Sequence, residues 1–231
     1  MSYTKRLDGR KFDELRPIKV ELGVIKNADG SALFSFGDTI AIAAVYGPRT
    51  MHPQHMQDAK KGVLRVNYDM LSFSVPERKR PGTSRRSQEI SKVTEWALAP
   101  VIDLEQYPNT VVDVFIQVIQ ANASTRCAGI NAAAIALAHA GLPMKDMITA
   151  VSIGKIGDKI VADVNKDEED YEEGATDIPI AMLHKNNDIT LLQLDGKVSI
   201  DELKEAIEMA KKVGKEIYAK QKDILKGVKI K

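Results

Sequence analysis

The sequence holds a single cysteine, Cys127, so no internal disulfide can form, and the composition fits a reducing compartment. Aromatic residues make up 5% of the chain, with one tryptophan, so most of any core must come from aliphatic side chains. No apolar run approaches the ~18 residues of a membrane-spanning helix. Residues Met1 to Arg6 lead into charged sequence without the apolar stretch of a signal peptide, and a cytoplasmic, non-membrane location is expected. There is no excess of either charge: 33 basic and 32 acidic residues leave a net charge of +1. That excludes a basic surface covering the whole protein, so any site for a polyanion must be local or shared with a partner. No Walker loop, Gly-x-Ser-x-Gly turn or zincin motif is present. What remains is 231 residues with 44% hydrophobic content, enough for one large or two small folded units.

Alternating, β-branched residues from Pro17 to Ile25 and from Ser31 to Phe36 flank the turn Asp29-Gly30 and read as a hairpin. Further strands are expected over Thr39–Val45, Val63–Met70, Val111–Ala121, Thr149–Ile156, Lys159–Val164, Ile178–Leu183 and Ile189–Leu194. Helical periodicity marks Arg85–Leu104, Cys127–Ala140 and Ile200–Leu225. Residues 51–62 and 72–83 read as loops. The order of elements predicts an α/β (α+β) layered fold with mixed sheets packed against helices, without a linker or an obvious repeat.

Two of the helix starts carry an electrostatic anomaly. Arg78, Lys79, Arg80, Arg85 and Arg86 cluster ahead of and at the start of one helix, behind Ser84 as a capping residue. Positive side chains oppose the dipole at a helix N-terminus, which favours anions. The second start, Asn122-Ala123-Ser124-Thr125-Arg126, repeats the pattern behind an apolar strand. With Ser124 or Thr125 as cap, free N–H groups, hydroxyls and Arg126 would converge on one anion.

Asp163 is followed by Asp167, Glu168, Glu169, Asp170, Glu172, Glu173 and Asp177. Most of this run reads as solvated loop. Asp170, within it, and Asp177, at the next strand, are placed to hold Mg²⁺ or pass a proton to a leaving oxygen beside a phosphate site. His52 and His55 are separated by Pro53 and lack a third ligand, which argues against a metal site. His139 and His184 read as structural.

These segments together resemble a known family. Arg6-Leu7-Asp8-Gly9-Arg10, Arg16-Pro17, Ala28-Asp29-Gly30-Ser31-Ala32 and Val45-Tyr46-Gly47-Pro48 are similar to the RNase PH-like phosphorolytic exoribonucleases. Tyr46-Gly47-Pro48-Arg49, His52-Pro53-Gln54-His55 and Ser84-Arg85-Arg86 resemble the catalytic RNase PH-type subunits of archaeal exosomes within that family. The resemblance covers essentially the whole chain. It implies an RNase PH-like fold of the ribosomal protein S5 domain 2 type, with residues 1–231 forming one unit built from halves 1–148 and 149–231.

The resemblance also implies an activity: 3′→5′ degradation of single-stranded RNA by inorganic phosphate, and in reverse the addition of RNA tails from nucleoside diphosphates. By position, Arg65, Arg85 and Arg86 match RNA-binding residues, and Ser124, Thr125 and Arg126 match the phosphate loop. Asp170 and Asp177 match the two aspartates at the reacting bond, with Mg²⁺ as the implied metal. These aspartates are one residue further apart than is usual in the family, which makes Asp167 the next candidate. Where bacterial members have Asp-Gly-Gly-Thr-Arg, this chain has Asn122-Ala123-Ser124-Thr125-Arg126, which restricts the backbone. Implied partners are an inactive RNase PH-like paralogue in a hetero-hexameric ring and S1/KH-type RNA-binding cap subunits. The alternatives are a homohexameric RNase PH that trims tRNA 3′ ends, and a non-catalytic RNA-binding ring subunit.

Overall fold

The structure, a computed structural model, describes residues 3–171 and 174–227. Two sheets enclose one continuous apolar core. The first contains β1 (Ile18–Leu22), β2 (Gly30–Phe36), β3 (Thr39–Thr50), β4 (Val63–Met70) and β5 (Thr110–Gln120) in the order β1-β2-β3-β5-β4. All neighbours are antiparallel except β4 and β5, whose parallel pairing requires a crossover. Helix α1 (Arg85–Leu98) supplies it.

The second sheet has the order β7-β6-β8-β9, from β6 (Ile148–Ile156), β7 (Lys159–Ala162), β8 (Ala175–Leu183) and β9 (Ile189–Leu192). Helix α2 (Thr125–His139) lies between the two sheets, against β2, β3 and β6. It is buried almost all round, and Ala132, Ala133, Ala134 and Ala136 let backbones approach closely. At Gly30 of β2, a Cβ would sit 2.3 Å from the Ala136 carbonyl, so only glycine fits. Helix α4 (Ile200–Lys226) covers the second sheet with Ala206, Ala210, Val213 and Ile217.

Most elements differ from the sequence reading by a few residues at an end, and three differences have a clear physical reason. Helix α1 ends at Leu98 rather than Leu104 because Pro100 cannot continue the helical hydrogen bonding. Strand β3 runs on to Thr50, still pairing with β5 beyond an irregularity between Tyr46 and Arg49. The acidic segment contains one helical turn, α3 (Lys166–Glu169), closed by a capping box between Asn165 and Glu168. The second and fourth helices and most strands fall where periodicity places them. Among the described residues, no helix is long and apolar enough to cross a membrane.

Candidate active site

Where α2 begins, a cavity of about 350 Å³ opens between the two sheets. Its centre is the N-terminal turn of α2. Ala123 and Ser124 both adopt the left-handed conformation, at φ 56° and 53°, which are the two positions filled by glycine in the bacterial pattern. Ser124 therefore does not cap the helix, contrary to the sequence reading; its hydroxyl donates to the Val164 carbonyl at 3.0 Å. The first bond of the helix runs from Ala128 N–H to Ser124 O at 3.0 Å. The N–H groups of Thr125, Arg126 and Cys127 are left without intrahelical acceptors, and all three residues line the cavity.

Four cationic side chains surround this turn: Lys79, Arg86, Arg126 and Lys166. Arg126 reaches Glu89 of α1 at 3.5 Å, and the same carboxylate oxygen accepts from Gln193 Nε2 at 2.8 Å. Lys79 is held by Asp69 on β4. The sequence marked Lys79 only as part of a basic run, and Lys166 not at all. Lys79 reaches the cavity from the 72–83 loop and Lys166 from the single turn of α3, neither of which periodicity describes.

On the opposite wall, Asp177 of β8 faces the cavity with Glu169, and Ser152 of β6 donates a hydrogen bond to the Asp177 carboxylate. Burial pushes the Asp177 carboxyl above its ordinary value; Ser152 and Arg126 oppose this, and the charges of Glu169 and Asp195 reinforce it. Cys127, in the first turn of α2, also lines the cavity, and burial raises its thiol above the ordinary value.

The other predicted residues are placed differently. Arg85 is exposed at the helix start beside Arg86 but is not part of the cavity wall. Arg65 is on β4, paired with Asp113 of β5 at 2.5 and 2.9 Å on the exposed face of the first sheet. Asp170 is exposed and turned to Lys166 Nζ at 2.6 Å, outside the cavity wall, and Asp167 is also exposed. Among the described residues, no group of three or more His, Cys, Asp and Glu side chains converges on one metal position. His52 and His55 are exposed, His139 Nδ1 accepts from Ser31 N–H at 3.2 Å, and His184 bonds Thr149 at 2.6 Å.

The acidic run is not uniformly solvated. Asp163 and Glu168 are fully buried. Glu168 takes a two-bond contact from Arg6, 2.7 Å to each oxygen, and Tyr3 donates to it at 3.1 Å. Asp163 is gripped in the same way by Arg16, at 2.6 and 2.8 Å. Glu172 and Glu173 lie outside the described residues. The N-terminal segment thus braces the loop that carries the carboxylate wall. Local reading had no means of finding it, because the partners stand 147 and 162 residues apart.

The models for domain 1 and domain 2 of the 3′ exoribonuclease family match residues 14–143 and 146–213. The exosome complex component Rrp41 of Thermococcus kodakarensis is 54% identical over 222 residues, covering 96% of this chain and 88% of that protein. The Archaeoglobus fulgidus Rrp41 is 50% identical over 223 residues, covering 95% and 86%. Among solved structures, rice (Oryza sativa) Rrp46 superimposes with a TM-score of 0.86 at 25% identity, covering 96% of this chain and all of that one. A chain of the Archaeoglobus fulgidus exosome with RNA bound to its active site gives 0.80 at 22% identity, with 94% and 92% covered, and shows the same fold. The chain belongs to the RNase PH family of 3′ exoribonucleases.

Proposed function

We propose that this chain is the catalytic RNase PH-type subunit of an archaeal exosome, degrading single-stranded RNA from its 3′ end by phosphorolysis. The observation that carries the reading is the uncapped start of α2, whose three free N–H groups open beside Arg126 and across from Asp177. Backbone donors, a helix dipole and a guanidinium suit inorganic phosphate. In the reaction, a phosphate oxygen forms a bond to the terminal phosphorus of the RNA while the bond to the preceding 3′ oxygen breaks. A nucleoside diphosphate leaves, and the 3′ oxygen takes a proton. In reverse, diphosphates extend the RNA and release phosphate.

Each group has a role in this account. Ser124, Thr125 and Arg126 seat the attacking phosphate. Arg86, with Arg85 beside it, holds the backbone of the RNA end, and Arg65 lies on its approach. Asp177 supplies the proton, for which a raised carboxyl is suited. Catalysis comes from holding two anions in line while cations neutralise them. In its ionised form Asp177 would instead be the carboxylate for a Mg²⁺ ion kept mainly by substrate phosphates, which would offset charge on the reacting phosphates. Asp170 joins Asp177 only after giving up Lys166.

The relatives named as exosome components support assembly into an exosome; an inactive RNase PH-like paralogue in a ring, S1/KH-type cap subunits and a cytoplasmic location are part of the same proposal. The phosphate requirement tests the reading. The chain, reconstituted with its paralogue, is titrated with phosphate on a short RNA. Degradation should rise from near zero and saturate; an equal rate in phosphate-free buffer overturns the proposal.

A further inference from the structure

The phosphate seat depends on a backbone shape that its own residues disfavour. Ala123 and Ser124 are both left-handed, and a residue with a Cβ loses about 1–2 kcal/mol there. Something outside the turn must hold it, and the surrounding hydrogen bonds converge on one hydroxyl. Thr39, fully buried at the first position of β3, places Oγ1 at 2.8 Å from the Asn122 carbonyl and 2.8 Å from the Ala123 carbonyl. The same oxygen accepts from Asn122 N–H at 3.0 Å and from Arg16 NH1 at 3.3 Å. A hydroxyl has one proton to donate and two lone pairs, so both acceptor sites are filled and the proton is shared between two carbonyls.

Arg16 adds a second tie, from NH1 to Asn122 O at 2.5 Å, while Asp163 holds its other nitrogens. Asn122 Oδ1 in turn accepts Lys166 N–H at 2.9 Å, joining the turn to α3. Neither Thr39 nor Arg16 lines the cavity.

We infer that Thr39 is a positioning residue for the anion seat: its hydroxyl, braced by Arg16, holds the left-handed turn at Ala123–Ser124 that points the free N–H groups of α2 into the cavity. The inference rests on the phosphate reading above. It assigns phosphate affinity to a residue on a different strand, outside the cavity wall. Thr39→Val removes the hydroxyl at nearly constant shape and takes this partner from the Ala123 carbonyl and Asn122 N–H, while the Asn122 carbonyl keeps only Arg16. Thr39→Ser keeps the hydroxyl.

The test uses the chain assembled with its paralogue and measures phosphate KM, kcat, RNA affinity without phosphate, and melting temperature. Thr39→Val should raise phosphate KM about tenfold, the loss expected of one buried hydrogen-bond group, with RNA affinity unchanged. Thr39→Ser should return KM to near the wild-type value. If Thr39→Val fails to fold, Thr39→Ala is read against the same criteria. An unchanged phosphate KM overturns the inference, as does a parallel loss of RNA affinity and phosphate affinity that follows the loss of stability. A wild-type enzyme indifferent to phosphate sinks the functional reading itself, which separates the two failures.

Discussion

Helices α1 and α2 both start at a serine followed within two positions by arginine, and the two starts do different things. At α1, Ser84 is extended, its side chain accepts from Ser87 N–H at 3.0 Å, and Ser87 Oγ accepts from Ser84 N–H at 2.8 Å. The capping box satisfies backbone groups internally, so the arginines there act as side chains alone. At α2, the serine is left-handed, gives its hydroxyl to Val164, and leaves the backbone donors open to a cavity. A cap residue ahead of basic residues is therefore not itself an anion site. An open helix start arises where the turn before the helix prevents the cap from closing.

The largest effect should come from the wall facing the open start. Asp177→Asn should lower kcat by about 10²–10⁴-fold, the usual contribution of a positioned proton donor. Asp170→Asn should have a much smaller effect, because that carboxylate faces Lys166. Equal losses would mean that the acidic loop reorganises around substrate.

The same aspartate has a pH signature. Its folded carboxyl titrates above the ordinary carboxylate value, so the charged form is disfavoured in the fold. Turnover should fall as pH rises through that raised value, where the donor proton is lost. Stability follows the same sign: the penalty is absent below the unfolded value and fully present above the folded one. Asp177→Asn should accordingly raise the melting temperature at neutral pH, and the gain should vanish in acid. A variant no more stable at neutral pH would contradict the burial argument.

Next in size is Arg126. Losing a charge-assisted contact to phosphate costs about 1.5–3 kcal/mol, so Arg126→Ala should raise phosphate KM about 10–100-fold. RNA affinity measured without phosphate should change little.

The closed helix start should give the opposite pattern. If Arg85 and Arg86 each neutralise one phosphate of single-stranded RNA, the double alanine variant should flatten the slope of log affinity against log salt by about 1.4, similarly for different RNA sequences. Lys79→Ala is a further comparison: its ammonium lies in the cavity wall and not in open solvent, so its effect should be read on phosphate KM as well as on RNA. The smallest effect belongs to the cap. Ser84→Ala should cost about 1 kcal/mol of stability and leave phosphate KM untouched.

These contrasts show what was legible in the sequence. Periodicity found the strands and the long helices because each buries a continuous stripe. Motif positions singled out the Ser124–Arg126 turn and Asp177, and both line the cavity. The left-handed backbone at Ser124 was not legible, since a serine before a helix ordinarily caps it and the ties that prevent this come from Thr39, Arg16 and Val164. The burial of Glu168 and Asp163 was equally hidden, because a run of acids looks solvated until arginines from the opposite end of the chain are folded onto it. Helix α1 stops short of Leu104 for a simpler reason: the apolar spacing runs on past Pro100, which cannot continue a helix.

The central claim is that phosphate seated at the open start of α2 is the attacking group. Isotopically labelled inorganic phosphate, supplied to the assembled enzyme with unlabelled RNA, tests it most directly. The account requires every released nucleotide to be a diphosphate carrying the label on its terminal phosphate, and label transfer should need a higher phosphate concentration in Arg126→Ala. Unlabelled nucleoside monophosphates, released at the same rate with or without phosphate, would contradict it.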